Sequence, residues 1–208
     1  MSKKHPIISV IGSSGAGTST VKHTFDQIFR RESVNAVSIE GDAFHKYDRE
    51  SMKKELDKRT KSGDSTFSHF SFDANILAEL ESIFKTYGSN GTGRTRNYVH
   101  SEEESKLFGV APGKFTEWRE IEAESDLLFY EGLHGGVEGD GYNVSSYADL
   151  LVGVVPITNL EWIQKIHRDN AERGYSAETI VDTILRRMPD YINHICPQFS
   201  KTDINFQR

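Results

Sequence analysis

Cysteine is nearly missing, with Cys196 the single one in 208 residues, so no internal disulfide, cysteine-rich zinc site or intrachain thiol switch can form. That fits a reducing compartment, and Cys196 is expected as a buried packing residue. Basic charge is short as well: 25 Lys and Arg face 31 Asp and Glu, a formal net charge of -6. This balance argues against broad attraction to nucleic acid or acidic membranes, although a local cluster of Lys and Arg can still hold a small anion. Long apolar runs are absent too; none approaches the roughly 18 residues that a membrane span needs. The N-terminal "MSKKHPIISV" enters a strand-like segment at once and leaves no room for a signal peptide, so a cytoplasmic protein is expected. Repeats, low-complexity tracts and interdomain linkers are also missing. With 36% hydrophobic and 11% aromatic residues the chain can bury a real core, which suits one globular domain over residues 1–208.

One further absence is local. "GSSGAGTST" (12–20) follows the apolar run "IISVI" (7–11) and fits the triphosphate-binding pattern G-x-x-x-x-G-K-[ST] at Gly12, Gly17 and Ser19, but Thr18 stands where the lysine belongs. A strand, glycine-rich turn and helix N-terminus offer several backbone N–H groups and the positive end of a helix dipole to one anion. Gly15 and Gly17 let the backbone approach phosphates without a Cβ between, and Ser19 supplies the hydroxyl that commonly meets magnesium. An ordinary β-to-α turn remains the plain alternative for this stretch alone.

What is present reads as an α/β protein. "IISVI" and "AVSIE" (36–40) flank a segment with helical apolar spacing at Val21, Phe25, Ile28 and Phe29, and "DLLFYE" (126–131) and "DLLVGVVP" (149–156) are short apolar runs typical of parallel strands buried on both faces. Together they predict a mainly parallel sheet covered by helices. "TNLE" (158–161) has the form of a capping box with Thr158 as N-cap and Glu161 reaching back; Gly174 ends that helix and another starts at Ser176. The stretch 88–120, rich in Gly and Arg, reads as extended segments and turns inserted beside the sheet.

Three groups of side chains could carry chemistry. Glu131 ends the run "LLFYEG", where an acid can reach magnesium or its waters. Asp42, His45 and Arg49 in "GDAFHKYDR" follow the second strand, on the sheet edge where open α/β folds bind ligands. There Asp42 could accept a hydroxyl proton while His45 and Arg49 hold an anion; equally, Asp42 could cap the next helix and Arg49 could be solvated. Lys165, Arg168 and Asp169, at i, i+3 and i+4, share one helix face, with Leu160, Ile163 and Ile166 free to turn toward the core. Such a charged face is either solvated surface or a lid closing over phosphates.

The blocks "GSSGAGTSTVKHTFDQIFRR", "SIEGDAFH", "TFSHF", "GRTRNYVH", "LLFYEGLHGG", "VPITNLEWIQKIHRD" and "PQFSKTDINFQR" closely resemble the bacterial branch of the phosphoribulokinase family, down to the threonine in place of the loop lysine. The resemblance covers essentially the whole chain. It implies a P-loop NTPase-like three-layer fold with helices on both faces of the sheet. It further implies ATP and Mg2+, D-ribulose 5-phosphate as acceptor and D-ribulose 1,5-bisphosphate as product in the reductive pentose phosphate cycle.

By motif, Asp42 looks like the catalytic base, and Lys165, Arg168 and Asp169 match positions implicated in catalysis. Gly12, Ser13, Ser14, Gly15, Ala16, Gly17, Thr18, Ser19 and Thr20 correspond to the ATP loop, and Ser19 and Glu131 to the groups serving magnesium. His45, Arg49, Tyr98, His100 and Arg173 resemble ligands of the sugar phosphate. Relatives of this type continue beyond "INFQR" into a C-terminal portion that this chain would then lack, where subunit contacts and an NADH effector site are expected. A homo-oligomer is expected on the same ground. A kinase of the nucleoside or pantothenate type, or a short non-catalytic ATP-binding homologue, are the alternatives. The first would have no need of His45, Arg49, His100 and Arg173.

Overall fold

The structure is a computed structural model that describes residues 4–121 and 124–207, with the backbone alone at 172 and 173. Its centre is a five-stranded sheet in the order β2-β5-β1-β8-β9. The strands are β1 (Ile7–Ile11), β2 (Ala36–Glu40), β5 (Leu127–Gly132), β8 (Leu150–Val155) and β9 (Ile204–Gln207). Every pairing in it is parallel. The expected strands all form, and β9 joins them at an edge. Two small antiparallel hairpins pair β3 (Arg94–Thr95) with β4 (Arg119–Glu120), and β6 (Glu138–Gly139) with β7 (Tyr142–Asn143).

Alternation along β5 sorts the core into two layers. Leu128 and Tyr130 point to one face, where Ile7, Ile39 and the Leu77, Leu80, Phe84 and Tyr87 stripe of helix α3 (Leu77–Asn90) pack. Leu127 and Phe129 point to the other, against Val10, Val152 and the Val21, Phe25 and Phe29 stripe of helix α1 (Thr18–Arg31). Helices therefore cover both faces, as a sheet buried on both sides requires.

The remaining helices are α2 (Arg49–Lys61), α4 (Glu102–Phe108), α5 (Thr158–Arg173) and α6 (Ala177–Asp190). Asp48, not Asp42, caps α2, accepting from the Ser51 N–H at 2.7 Å. The stretch 88–120 holds the end of α3, β3, β4 and the short helix α4, which Ser101 caps and Gly109 ends. Among the described residues no helix is long and apolar enough to cross a membrane. Cys196 is half-buried, with its thiol pushed up by desolvation.

Helix α5 departs from its sequence reading at two points. Its N-cap is Ile157, with no side-chain cap, so Thr158 is already helical. Glu161 does not reach back; it is buried and accepts a hydrogen bond from Ser13 Oγ at 2.5 Å. The face is inverted as well: Leu160 and Ile163 are 44% and 51% exposed, whereas Lys165 and Asp169 are 5% and 4% exposed. The polar glycine loop and helix α6, not the apolar sheet, are the surfaces this helix meets. Its stop at Gly174 and the Ser176 cap of α6 are as expected.

Candidate active site

The loop 12–17 leaves β1 at the carboxyl edge of the sheet and feeds α1. Gly12 N–H donates to the Gly132 carbonyl at 3.2 Å, tying the loop to the end of β5. Gly15 (φ 108°) and Gly17 (φ 97°) occupy left-handed backbone that side chains resist. At Gly15 a Cβ would also press on the Glu161 carbonyl at 3.2 Å and Lys165 Cβ at 3.4 Å. The loop thus lies directly against α5. Ser14 Oγ accepts from Arg168 Nη2 at 3.0 Å, while Ser19 and Thr20 are exposed at the start of α1. Thr18 instead turns inward, buried, with its hydroxyl on the Glu131 carboxylate.

Lys165, Arg168 and Asp169 form one cluster above the loop. Lys165 Nζ is 2.5 Å from Asp169 Oδ2, and Arg168 reaches Asp169 Oδ1 through Nε at 2.9 Å and Nη2 at 2.8 Å. Desolvation, followed by the Arg187 charge, pulls the Lys165 amine down to about 8 against the pull of Asp169. It is still protonated at neutral pH. Desolvation works against ionisation of Asp169, and the Lys165 bond overrides it, leaving its carboxyl below the usual range. Arg187, on α6, lines the same small cavity with Ser14, Glu161 and Lys165.

The second cluster stands one turn beyond β2. Asp42 Oδ1 meets His45 Nε2 at 3.1 Å and Asp42 Oδ2 meets His100 Nε2 at 3.4 Å. Desolvation opposes the charge on Asp42, but the neighbouring His45 outweighs it and holds the carboxyl far below its ordinary value. The Tyr98 ring lies 4.8 Å from that of His100 and 6.4 Å from that of His45. Arg49 Nη2 donates to the His100 carbonyl at 3.2 Å, so its exposed guanidinium is anchored beside the group. The fold thus brings together Asp42, His45, Arg49, Tyr98 and His100; the Arg173 side chain lies outside the described residues.

Two glycines set the spacing between the strand ends. A Cβ on Gly132 would come within 2.6 Å of both Gly41 Cα and the Tyr130 hydroxyl. Glu131 sits on this seam, paired in register with Glu40, and desolvation raises its carboxyl, with Asp42 and Glu40 adding to the effect. Among the described residues no group of three or more His, Cys, Asp or Glu could hold a metal alone. The Glu131 carboxylate and the Ser19 hydroxyl are oxygen donors of the kind magnesium takes, an ion that keeps most of its water and takes phosphate oxygens as its other ligands.

Sequence reasoning missed Arg187, which lines the cavity beside Lys165, and His69, Asn75 and His134, where the His69 ring and the Asn75 amide meet His45 and His134 meets Asn75. The two histidines stand inside the "TFSHF" and "GLHGG" blocks, but no spacing rule links residues so far apart in the chain.

This arrangement can bind phosphates on the loop and bring a carboxylate base to an anionic acceptor. The sequence profile of the Phosphoribulokinase / Uridine kinase family matches residues 7–208. The chain belongs to that family. It is 66% identical over its 208 residues to phosphoribulokinase 1 of Cereibacter sphaeroides, covering 72% of that protein. To the phosphoribulokinase of Nitrobacter vulgaris it is 62% identical over the same 208 residues, again covering 72%. The solved phosphoribulokinase from Rhodobacter spheroides superposes with a TM-score of 0.87 at 63% identity, over 99% of this chain and 70% of the other. Members of a kinase family use ATP, and a P-loop kinase fold is what the sheet order and the loop display.

Proposed function

We propose that this chain transfers the γ-phosphoryl group of ATP to the C1 hydroxyl of D-ribulose 5-phosphate, giving D-ribulose 1,5-bisphosphate and ADP. The observation that carries this reading is the Asp42, His45 and His100 group, a carboxylate with an imidazole within 3.4 Å of each of its oxygens, at the sheet edge that also carries the phosphate loop. In this reaction the C1 oxygen attacks the phosphorus in line as the bond to the β-phosphate oxygen breaks, and the hydroxyl proton passes to Asp42. His45, Arg49, Tyr98, His100 and Arg173 grip the 5-phosphate end. Lys165 and Arg168, above Ser14, supply the positive charge that the loop lacks at Thr18. Most of the rate then comes from positioning and charge stabilisation.

Magnesium, held through Ser19 and Glu131, would neutralise charge on the transferred phosphoryl group. On the family resemblance the enzyme is cytoplasmic, a homo-oligomer and a single kinase domain over 1–208. Uridine offers the imidazoles and Arg49 no anion to pair with, and pantothenate offers a singly charged carboxylate in place of a phosphate. The test is an ATP-dependent assay of the purified chain with ribulose 5-phosphate, uridine and pantothenate. Turnover on the sugar phosphate is expected, and turnover confined to uridine or pantothenate overturns the assignment.

A further inference from the structure

Asn75, in the segment leading into α3, is buried and touches the rings of His45 and His134. Its Nδ2 lies 2.9 Å from the His69 carbonyl and 2.8 Å from the Ser71 carbonyl. Carbonyls only accept, so these two contacts settle which end of the amide is nitrogen. The other end, Oδ1, is then the atom 2.8 Å from His45 Nδ1. An amide oxygen cannot donate, so His45 Nδ1 carries a proton. On the far side of the same ring Nε2 faces Asp42 Oδ1 at 3.1 Å, and an ionised carboxylate also only accepts. His45 is therefore protonated on both nitrogens.

His134 lies against the same amide, its Nε2 3.1 Å from Asn75 Nδ2, whose two hydrogens are shared with the His69 and Ser71 carbonyls. The segment holding Asn75 is itself fixed, because Ser68 Oγ at 2.8 Å and Ser71 Oγ both donate to Asp190 on α6.

We propose that Asn75 is a positioning residue for the reaction: by accepting from Nδ1 it keeps His45 an imidazolium, ready to take the anionic end of the acceptor. The arrival of that anion draws His45 away from Asp42 and frees the carboxylate to act as base. This deepens the kinase reading and rests on it. The other groups facing His45 fit the assignment. The His69 ring, 4.8 Å away, is neutral because burial and then the His45 charge depress it. His134 is held neutral by burial, at about 3. Tyr98 presents a ring edge and His100 shares Asp42. Arg96 donates to the His45 carbonyl at 2.7 Å, and Arg187 adds an opposing positive field. Desolvation and Arg187 thus work against the imidazolium, with Asp42 and Asn75 as the groups that favour it.

The experiment follows the His45 ring by nitrogen-resolved NMR, assigned with His45→Gln, in the wild type and in Asn75→Leu and Asn75→Asp. In Asn75→Leu the His45 midpoint should fall by about one pH unit, the loss of one hydrogen bond to a charged group. The alkaline limb of kcat/KM for ribulose 5-phosphate should move down with it, with KM rising about tenfold at the pH of the shifted limb and kcat changing less. Asn75→Asp restores an acceptor and should return the midpoint to the wild-type value or above it. A midpoint that does not move in Asn75→Leu overturns the proposal. If that variant fails to fold, the wild-type spectrum decides: one unprotonated His45 nitrogen at pH 6.5 is equally fatal. Because the ring titration needs no turnover, an enzyme inactive on ribulose 5-phosphate refutes the kinase reading and leaves this test standing.

Discussion

Replacing Lys165 by methionine separates the charge of α5 from its packing. The side chain is 6% exposed and its Nζ makes a 2.5 Å bond to Asp169. Methionine keeps the length and loses the cation. Stranding a buried carboxylate would cost about 3–5 kcal/mol, but Asp169 retains Arg168 at 2.8 and 2.9 Å, and the variant no longer buries an ammonium. A stability loss of about 1–2 kcal/mol is therefore expected, or roughly 2–8 °C in Tm for a chain of this size.

The catalytic loss should be larger. A charged donor aimed at a transferring phosphoryl group is worth about 10²–10³ in kcat. Thr18→Ala removes an uncharged hydroxyl that bonds Glu131 and a buried γ-methyl beside Gly12, a change of about tenfold or less. Steady-state kinetics with saturating ATP, read beside thermal melts of both variants, make the comparison. A Thr18→Ala enzyme more damaged than Lys165→Met refutes the idea that α5 supplies the charge missing from the loop. The wild type adds a check, because kcat/KM for ATP should fall as pH rises through about 8, where Lys165 of the free enzyme loses its proton, and Lys165→Met should lack that fall.

Asp42→Asn should lower kcat by about 10²–10⁴ while ribulose 5-phosphate still binds; near-normal turnover sinks Asp42 as base. Gly132→Ala places a Cβ 2.6 Å from Gly41 Cα, so a loss of about 1–3 kcal/mol is expected, and an unchanged thermal melt would contradict it. The Asp42–His45 pair makes stability depend on pH in a defined direction. Asp42 is depressed in the fold, so its share is present above the unfolded value of about 4 and fades as pH falls through the folded one. His45 is raised, so its share is full below about 6.5 and is lost as pH rises through the folded value. Between about pH 4 and 6.5 the Tm gap between wild type and His45→Gln should be widest, and a gap independent of pH argues against the pair.

The central strands were legible because β1, β5 and β8 are apolar runs with no competing period, and the glycine loop announced the first crossover. The inverted face of α5 was not. Periodicity locates two faces of a helix and says nothing about what lies opposite; here the opposite surface is a glycine loop and helix α6, and Lys165 and Asp169 satisfy each other within the helix. The capping-box reading of "TNLE" failed for a related reason, since Ser13, distant in sequence, offers Glu161 a better donor than its own helix end. Asn75 and His134 lay beyond reach because their roles depend on contacts across 30 and 59 residues of chain.

Helix α5 also has an evolutionary consequence. On an ordinary amphipathic helix, charged positions drift freely while aliphatic ones are constrained. With Lys165 and Asp169 inside and Leu160 and Ile163 half open to water, the tolerance map of this segment runs in reverse. A saturation scan should find polar replacements accepted at Leu160 and Ile163, and even charge-conserving ones rejected at Lys165.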